Sequence, residues 1–245
     1  MRSMTKLSER HTLNKRTPFC YLRVRVMAVM EAPFQRARRP EQKDQRRETI
    51  LAAAGELAGD SGVARVSLGD IAAAVGLSKS NVLRYFGTRE EIYLQLTRRE
   101  GTDWAAAAGT ALHEASGFSA VAAALADAYA DRPLYCDLTT HAETMLEHNV
   151  SVAALRVHKL WAIDTYFTVG KQITAACPQL TVADGASLVM AASAFVAKLF
   201  PLTRPPEALR ELYDREPEIA RVFPPFRPTL QRMIAATAAG LPTTH

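Results

Sequence analysis

The sequence predicts an all-α fold in two parts, a small N-terminal head of short helices and a longer helical body. Apolar residues recur at helical spacing, as in Ile50, Leu51, Ala54 and Leu57, which is the stripe of a helix facing a core. Strand-like alternation is nearly absent, and no repeat of fixed period occurs. Breaks at Gly117, Asp131-Arg132-Pro133, Asn149-Val150-Ser151, Cys177-Pro178 and Pro201 to Pro206 cut the alanine-rich remainder into pieces of helical length. With 245 residues, 48% of them hydrophobic, the chain can bury one sizeable core and a second, smaller one.

Residues 1–42 mix Arg, Lys, Pro and Thr without a sustained period and are expected to be a disordered basic extension. They hold 10 Lys/Arg against 3 Asp/Glu, whereas residues 43–245 hold 20 against 22. The net charge of +5 therefore resides in the extension, and overall charge alone does not identify a nucleic-acid partner. Its arginines suit a solvated tail first and a minor-groove arm second. Met27 and Met30 stand just before "RRPEQKDQRRE", as an alternative translation start would.

A first helix is expected over 45–58, with Gly59 and Gly62 punctuating its end. Ser67, followed three residues later by Asp70, is a capping-box variant opening a helix of barely two turns through Leu68, Ile71, Ala72 and Val75. Gly76 ends it, and Ser78 caps a third helix over 78–86. Thr88 with Glu91 caps a fourth that runs beyond Trp104. Further helices are expected at 119–130, 134–148, 152–176, 182–200, 207–215 and 227–240. The head is assigned to 43–92 and the body to 93–245.

The third helix is too short to stand alone in water, so its neighbours must hold it. At about 100° per residue, Val82 and Phe86 share one side and dock on the first two helices. Ser80, Asn81, Arg84 and Tyr85 occupy much of the opposite arc. Two short helices around a glycine turn, the second offering such a face, make a helix-turn-helix whose second helix fits a major groove. Ser80 and Asn81 are the candidates for base edges, with Lys79 near the groove wall. Arg84, Tyr85 and Arg89 are the candidates for phosphates, and backbone N–H groups at Ser67 and Thr88 add anion contacts.

"DIAAAVGLSKSNVLRYFGTREEIY" resembles the signature of the tetracycline-repressor-like (TetR) regulators: a glycine turn, a short Ser-rich recognition helix, an aromatic-Phe pair and a charged start of helix four. The resemblance covers 43–93, including "KDQRRETIL" in helix one. Arg89 stands where the family usually has lysine, which keeps a cation. Leu83 stands where it often has an aromatic, which leaves Leu83 without an assigned role. "DRPLYCDLTTHAETMLEHNVS" is similar to the C-terminal domain of one actinobacterial-type branch of these regulators. The resemblance implies a homodimeric repressor of double-stranded DNA whose body forms both an effector cavity and the dimer interface. Helices 182–200 and 227–240 would pair across the two-fold axis as a four-helix bundle, and such a dimer calls for a palindromic operator. Ala186, Ala191, Ala192 and Ala194 are expected to allow close approach there, with Leu188, Val189, Phe195, Val196 and Leu199 supplying area.

Trp104, Tyr129, Tyr135, Met145, Trp161 and Tyr166 are candidate contacts for a small-molecule effector, with His113 and Phe167 beside them. Aromatic and Met side chains at helical spacing line either a pocket or a core. His141 and His148 lie two turns apart on an expected helix, about 10 Å from each other, too far to share a metal directly. The 3 cysteines form no C-x-x-C pair, which suggests neither a disulfide framework nor a cysteine-rich zinc site. No cofactor motif, P-loop, nucleophile elbow or H-E-x-x-H occurs, so an enzyme would have to assemble from distant residues. A helical adaptor acting through its dimer surface is the other alternative. No stretch of about 18 uncharged apolar residues and no secretory leader is present, so the expected place is the cytoplasm, away from membranes.

Overall fold

The computed structural model describes residues 39–221 and 225–244, and no strand occurs among them. The expected basic extension up to residue 38 lies outside the described residues. Its last residues already belong to α1 (Arg39–Ser61), which begins six positions before the expected start at residue 45. Helix formation here extends into a polar, charged stretch that carries no periodic signal.

The head follows from local capping. After Gly62, at φ 90°, a single 3-10 turn over Val63–Arg65 leads to α2 (Leu68–Ala74). Ser67 and Asp70 close a full capping box at its start. Gly76, at φ 66°, turns the chain in a conformation that side chains rarely adopt, and Ser78 caps α3 (Lys79–Leu83). This helix is shorter than expected: Arg84 is its C-cap, and Tyr85 and Phe86 sit on the turn that follows. Thr88 then caps α4 (Arg89–His113), which at 1.5 Å per residue is about 37 Å long.

The body contains α5 (Gly117–Ala130), α6 (Pro133–His141), α7 (Val152–Ala176), α8 (Val182–Leu199), α9 (Glu207–Arg215), the single turn α10 (Pro217–Ala220) and α11 (Phe226–Gly240). The helix expected over 134–148 is broken: α6 stops at His141 and passes into a π-turn over Ala142–Leu146, which leaves His148 outside it. His141 lies beside Asp137, with Nε2 3.6 Å from Oδ1. The segment Val182–Thr203 has a mean hydropathy of 1.6, apolar enough by length and composition to cross a membrane. In this fold Leu188, Val189, Ala192 and Val196 of that segment are fully buried. At the closest approach of α7 and α8, a Cβ on Gly185 would lie 2.5 Å from the Gly170 carbonyl oxygen.

Two apolar cores result. The head core gathers Ile50, Leu51, Ala54, Ile71, Val82 and Phe86 with Ile92, Tyr93 and Leu96 of α4. Leu138 of α6 and Leu146 of the π-turn, both fully buried, complete it. The body core joins Trp104, Ala108 and Leu112 of α4 to Leu125, Tyr129, Ile173, Leu188, Val196, Leu230 and Ile234. α4 thus runs through both cores as one continuous helix.

Candidate nucleic-acid interface

α3 has only five residues, so its position is set by what grips it. Val82 is fully buried and Phe86 is 3% exposed, anchoring the helix to the head core. From α1, Arg47 donates to the Tyr85 carbonyl and to Gln95 Oε1 at 2.6 Å, with its guanidinium 4.2 Å over the Phe86 ring. Arg47 was not among the expected site residues. Its signal was available, since it lies in register with Ile50, Leu51 and Ala54 on the buried stripe of α1.

The eight expected DNA contacts divide by how free their polar atoms are. Asn81 and Arg84 are exposed, and neither makes a side-chain hydrogen bond to any described residue. Ser80 is exposed, with its hydroxyl 3.0 Å from that of Ser78. Lys79 lies folded beside α2, its Cε 2.8 Å from where a Cβ on Gly69 would be, so it stands close to Ser67. Tyr85 is half-buried against the head core. These five residues lie on one face of the segment or at its edge, with the exposed Leu83 among them.

The other three are engaged locally. Ser67 accepts from the Asp70 N–H, and the Asp70 carboxylate accepts from the Ser67 N–H at 2.8 Å and its hydroxyl at 2.7 Å. Those hydrogen bonds, with the Lys79 ammonium nearby, hold the Asp70 carboxyl below its ordinary value. An anion therefore already occupies the start of α2, where an incoming phosphate was expected. Thr88 accepts from the Glu91 N–H at 3.1 Å. Arg89, expected at a phosphate, turns inward: it donates to the carbonyls of Val63 and Val66, pairs with Glu90 at 3.2 Å and stands 4.7 Å from the Tyr93 ring centre. Only 14% of its side chain is exposed, so it locks α4 to the turn before α2.

Two carboxylates tie this head to the body. Asp137 of α6 accepts from the Val63 N–H at 2.7 Å. Glu91 accepts from the Gly87 N–H at 3.0 Å and from the Ser151 N–H and hydroxyl at 3.1 and 2.7 Å, joining the starts of α4 and α7. Burial pushes the Glu91 carboxyl up, but the hydrogen bonds from Ser151 and Gly87 outweigh it and hold the group low. Neither tie has a sequence signature, because their partners are 74 and 60 residues away.

The expected effector contacts are largely packed together. Trp104 and Tyr129 are fully buried, with ring centres 4.6 Å apart, and Tyr135 stacks on Tyr129 at 5.8 Å. Tyr129 shares a hydrogen bond with Ser193, whereas the Trp104 Nε1–H is buried without a partner among the described residues. Trp161 covers Gly101, and its own Nε1–H donates to Thr102. Tyr166 packs against the body core. Met145 does not join this group: it packs against the head core. A cavity of about 180 Å³ lies further along α4, between Gly109, Leu112 and His113 and the residues Gln172 and Ala176 of α7. The Gln172 Oε1 at this cavity is buried and has no partner among the described residues. Among the described residues no three His, Cys, Asp or Glu gather in a group able to hold a metal.

The expected bundle residues need the same correction. Leu188, Val189, Ala192 and Val196 are fully buried in the body's own core, and Ala186 and Leu199 are 8% and 9% exposed, so these six supply no area to a partner. Phe195 packs against that core as well. Of the expected bundle residues Ala194 does face outward, on an exposed stripe of α8 with Ala183, Ser187, Met190 and Lys198.

Two family models match the chain: "Bacterial regulatory proteins, tetR family" over residues 50–96, and "Tetracyclin repressor-like, C-terminal domain" over residues 98–245. Among solved structures, a possible TetR family transcriptional regulator from Streptomyces coelicolor A3(2) is similar with a TM-score of 0.52 at 18% identity, over 81% of this chain and 100% of that one. The fatty acid degradation regulator from Bacillus halodurans is similar with a TM-score of 0.48 at 12% identity, over 81% of this chain and 98% of that one. No curated protein matches the chain significantly.

Proposed function

The chain belongs to the TetR family of bacterial transcriptional regulators, and from this we propose that it is a ligand-responsive homodimeric repressor that binds a palindromic operator. The observation that carries the reading is the outward face of α3, where Ser80, Asn81 and Arg84 are exposed on a helix pinned from behind by Val82, Phe86 and Arg47. Ser80 and Asn81 meet base edges, while Lys79, Arg84 and Tyr85 hold phosphates. Arg89 positions the head instead of touching DNA.

Two copies associate through the outward faces of α8 and α11. Ala183, Ser187 and Ala194 on α8, with Ala236 and Ala239 on α11, are exposed and small, which favours close helix approach, and Met190 is 58% exposed between them. The effector enters the body near the aromatic group of Trp104, Tyr129, Tyr135, Trp161 and Tyr166, where the Trp104 Nε1–H, unpartnered among the described residues, offers a donor. α4 links that group to the head. A ligand that binds one tilt of α4 better than another shifts the spacing of the two reading heads, and only by that difference in affinity.

The test is a fluorescence-anisotropy titration of the full chain against DNA from its gene's upstream region, beside a scrambled duplex at the same salt. A preference of about a thousandfold or more supports the reading. Equal, weak and strongly salt-dependent binding to both duplexes refutes operator recognition in that region.

A further inference from the structure

Leu83 is 42% exposed, and no other large hydrophobic side chain of the described head residues is exposed. The remaining exposed ones, Val152, Val157, Leu160, Ile163 and Met190, lie on α7 and α8. Leu83 is not a core residue out of place, because Val82 and Phe86 already fill the buried side of this segment. At about 100° per residue it falls between Lys79, one turn earlier, and Ser80, on the arc that continues to Arg84 and Asn81. The outward face is thus polar except at one position.

A leucine side chain neither donates nor accepts a hydrogen bond, so it holds neither a phosphate oxygen nor a polar base edge. The apolar feature that a major groove offers beside its polar edges is the C5-methyl of thymine. Methylated cytosine carries the same group. We propose that Leu83 packs on a pyrimidine C5-methyl in each operator half-site, and so fixes the base at that position. The proposal rests on the operator-binding reading above and adds to it a determinant of sequence.

The full-length protein is first used to select duplexes from a random pool. The enriched operator is then remade with each thymine in turn replaced by uracil, which keeps every hydrogen-bonding edge and removes only the methyl. One symmetry-related pair of positions is expected to respond, by about fourfold for one half-site and about fifteenfold for both, as the burial of one methyl group implies. At that pair the Leu83→Ala protein distinguishes thymine from uracil no longer, while Leu83→Met still does. Circular dichroism and melting verify that both variants fold. Cytosine and 5-methylcytosine at the same pair separate the two sources of the methyl: recovery with 5-methylcytosine means that either base serves, and no recovery restricts the contact to thymine. A uracil scan without a responsive pair, or one whose response Leu83→Ala retains, overturns the contact and leaves operator binding intact. If no sequence is enriched, the operator reading falls and the contact with it.

Discussion

Replacing Arg89 with alanine separates two roles that a cation at the start of α4 can play. If it clamps the head, its loss removes charge-assisted hydrogen bonds to the Val63 and Val66 carbonyls, worth about 1.5–3 kcal/mol each. The contact with the Tyr93 ring adds about 0.5–1 kcal/mol. Water recovers part of this by hydrating the freed carbonyls, so the net loss is about 2–4 kcal/mol. For a protein of this size that lowers the Tm by about 5–15 °C. The assay pairs thermal unfolding, at matched protein concentration because the proposed dimer would make stability depend on it, with the salt dependence of operator affinity. The expected result is a large drop in Tm and an unchanged salt slope for the molecules that remain folded. An unchanged Tm with a slope reduced by about 0.9 per protomer would refute the clamp and return Arg89 to a phosphate.

Asn81→Ala should change the preferred base at one position by about 1–3 kcal/mol, whereas Tyr85→Ala should weaken specific and non-specific DNA alike; competition titrations with single-base operator variants check both. Gly185→Ala should destabilise the protein by about 3 kcal/mol, because the new Cβ meets Gly170 backbone on all its near contacts and no flexible side-chain end can move aside. Gly59→Ala, with open space around it, should instead be neutral or stabilising by up to about 1 kcal/mol, and chemical denaturation compares the two. Burial pushes the His158 imidazole down to about 4, against the pull of Glu147 3.8 Å away, so the folded state refuses a proton that the unfolded chain accepts near pH 6.5. Stability should accordingly be full above about pH 6.5 and fall by about 3 kcal/mol on acidification to pH 4. Urea titrations across that range should find the slope much reduced in His158→Gln, leaving only the part that carboxylates such as Glu91 contribute near pH 4.

The helix order of the fold was legible in the sequence because caps and breakers are local. Ser67 with Asp70, Ser78, Thr88 and Gly76 each act within a few residues of themselves, and the structure uses every one where it was expected. What was not legible depends on distance. Nothing near Asp137 announces that its carboxylate meets Val63, and nothing near Arg89 announces that two carbonyls stand beneath its guanidinium. The bundle residues on α8 failed for a related reason. An apolar helix shows which of its residues are greasy, but Leu188 and Val196 face α8's own neighbours, and the choice between inner and outer cores lies in the packing. Met145 was read by residue type and belongs with the head by position.

Leu138 and Leu146 give the boundary between head and body a practical meaning. Each is fully buried among residues of the head although it comes from far along the chain, and each would lose about 1.5–3 kcal/mol of burial if the head were cut away at residue 92. The head is therefore not a portable cassette. A chimaera that grafts the head onto a relative's body must carry the segment through Ser151, whose N–H and hydroxyl meet Glu91, or find leucines of matching shape in the recipient. The head and body of this regulator are expected to be exchangeable only together with the seam between them.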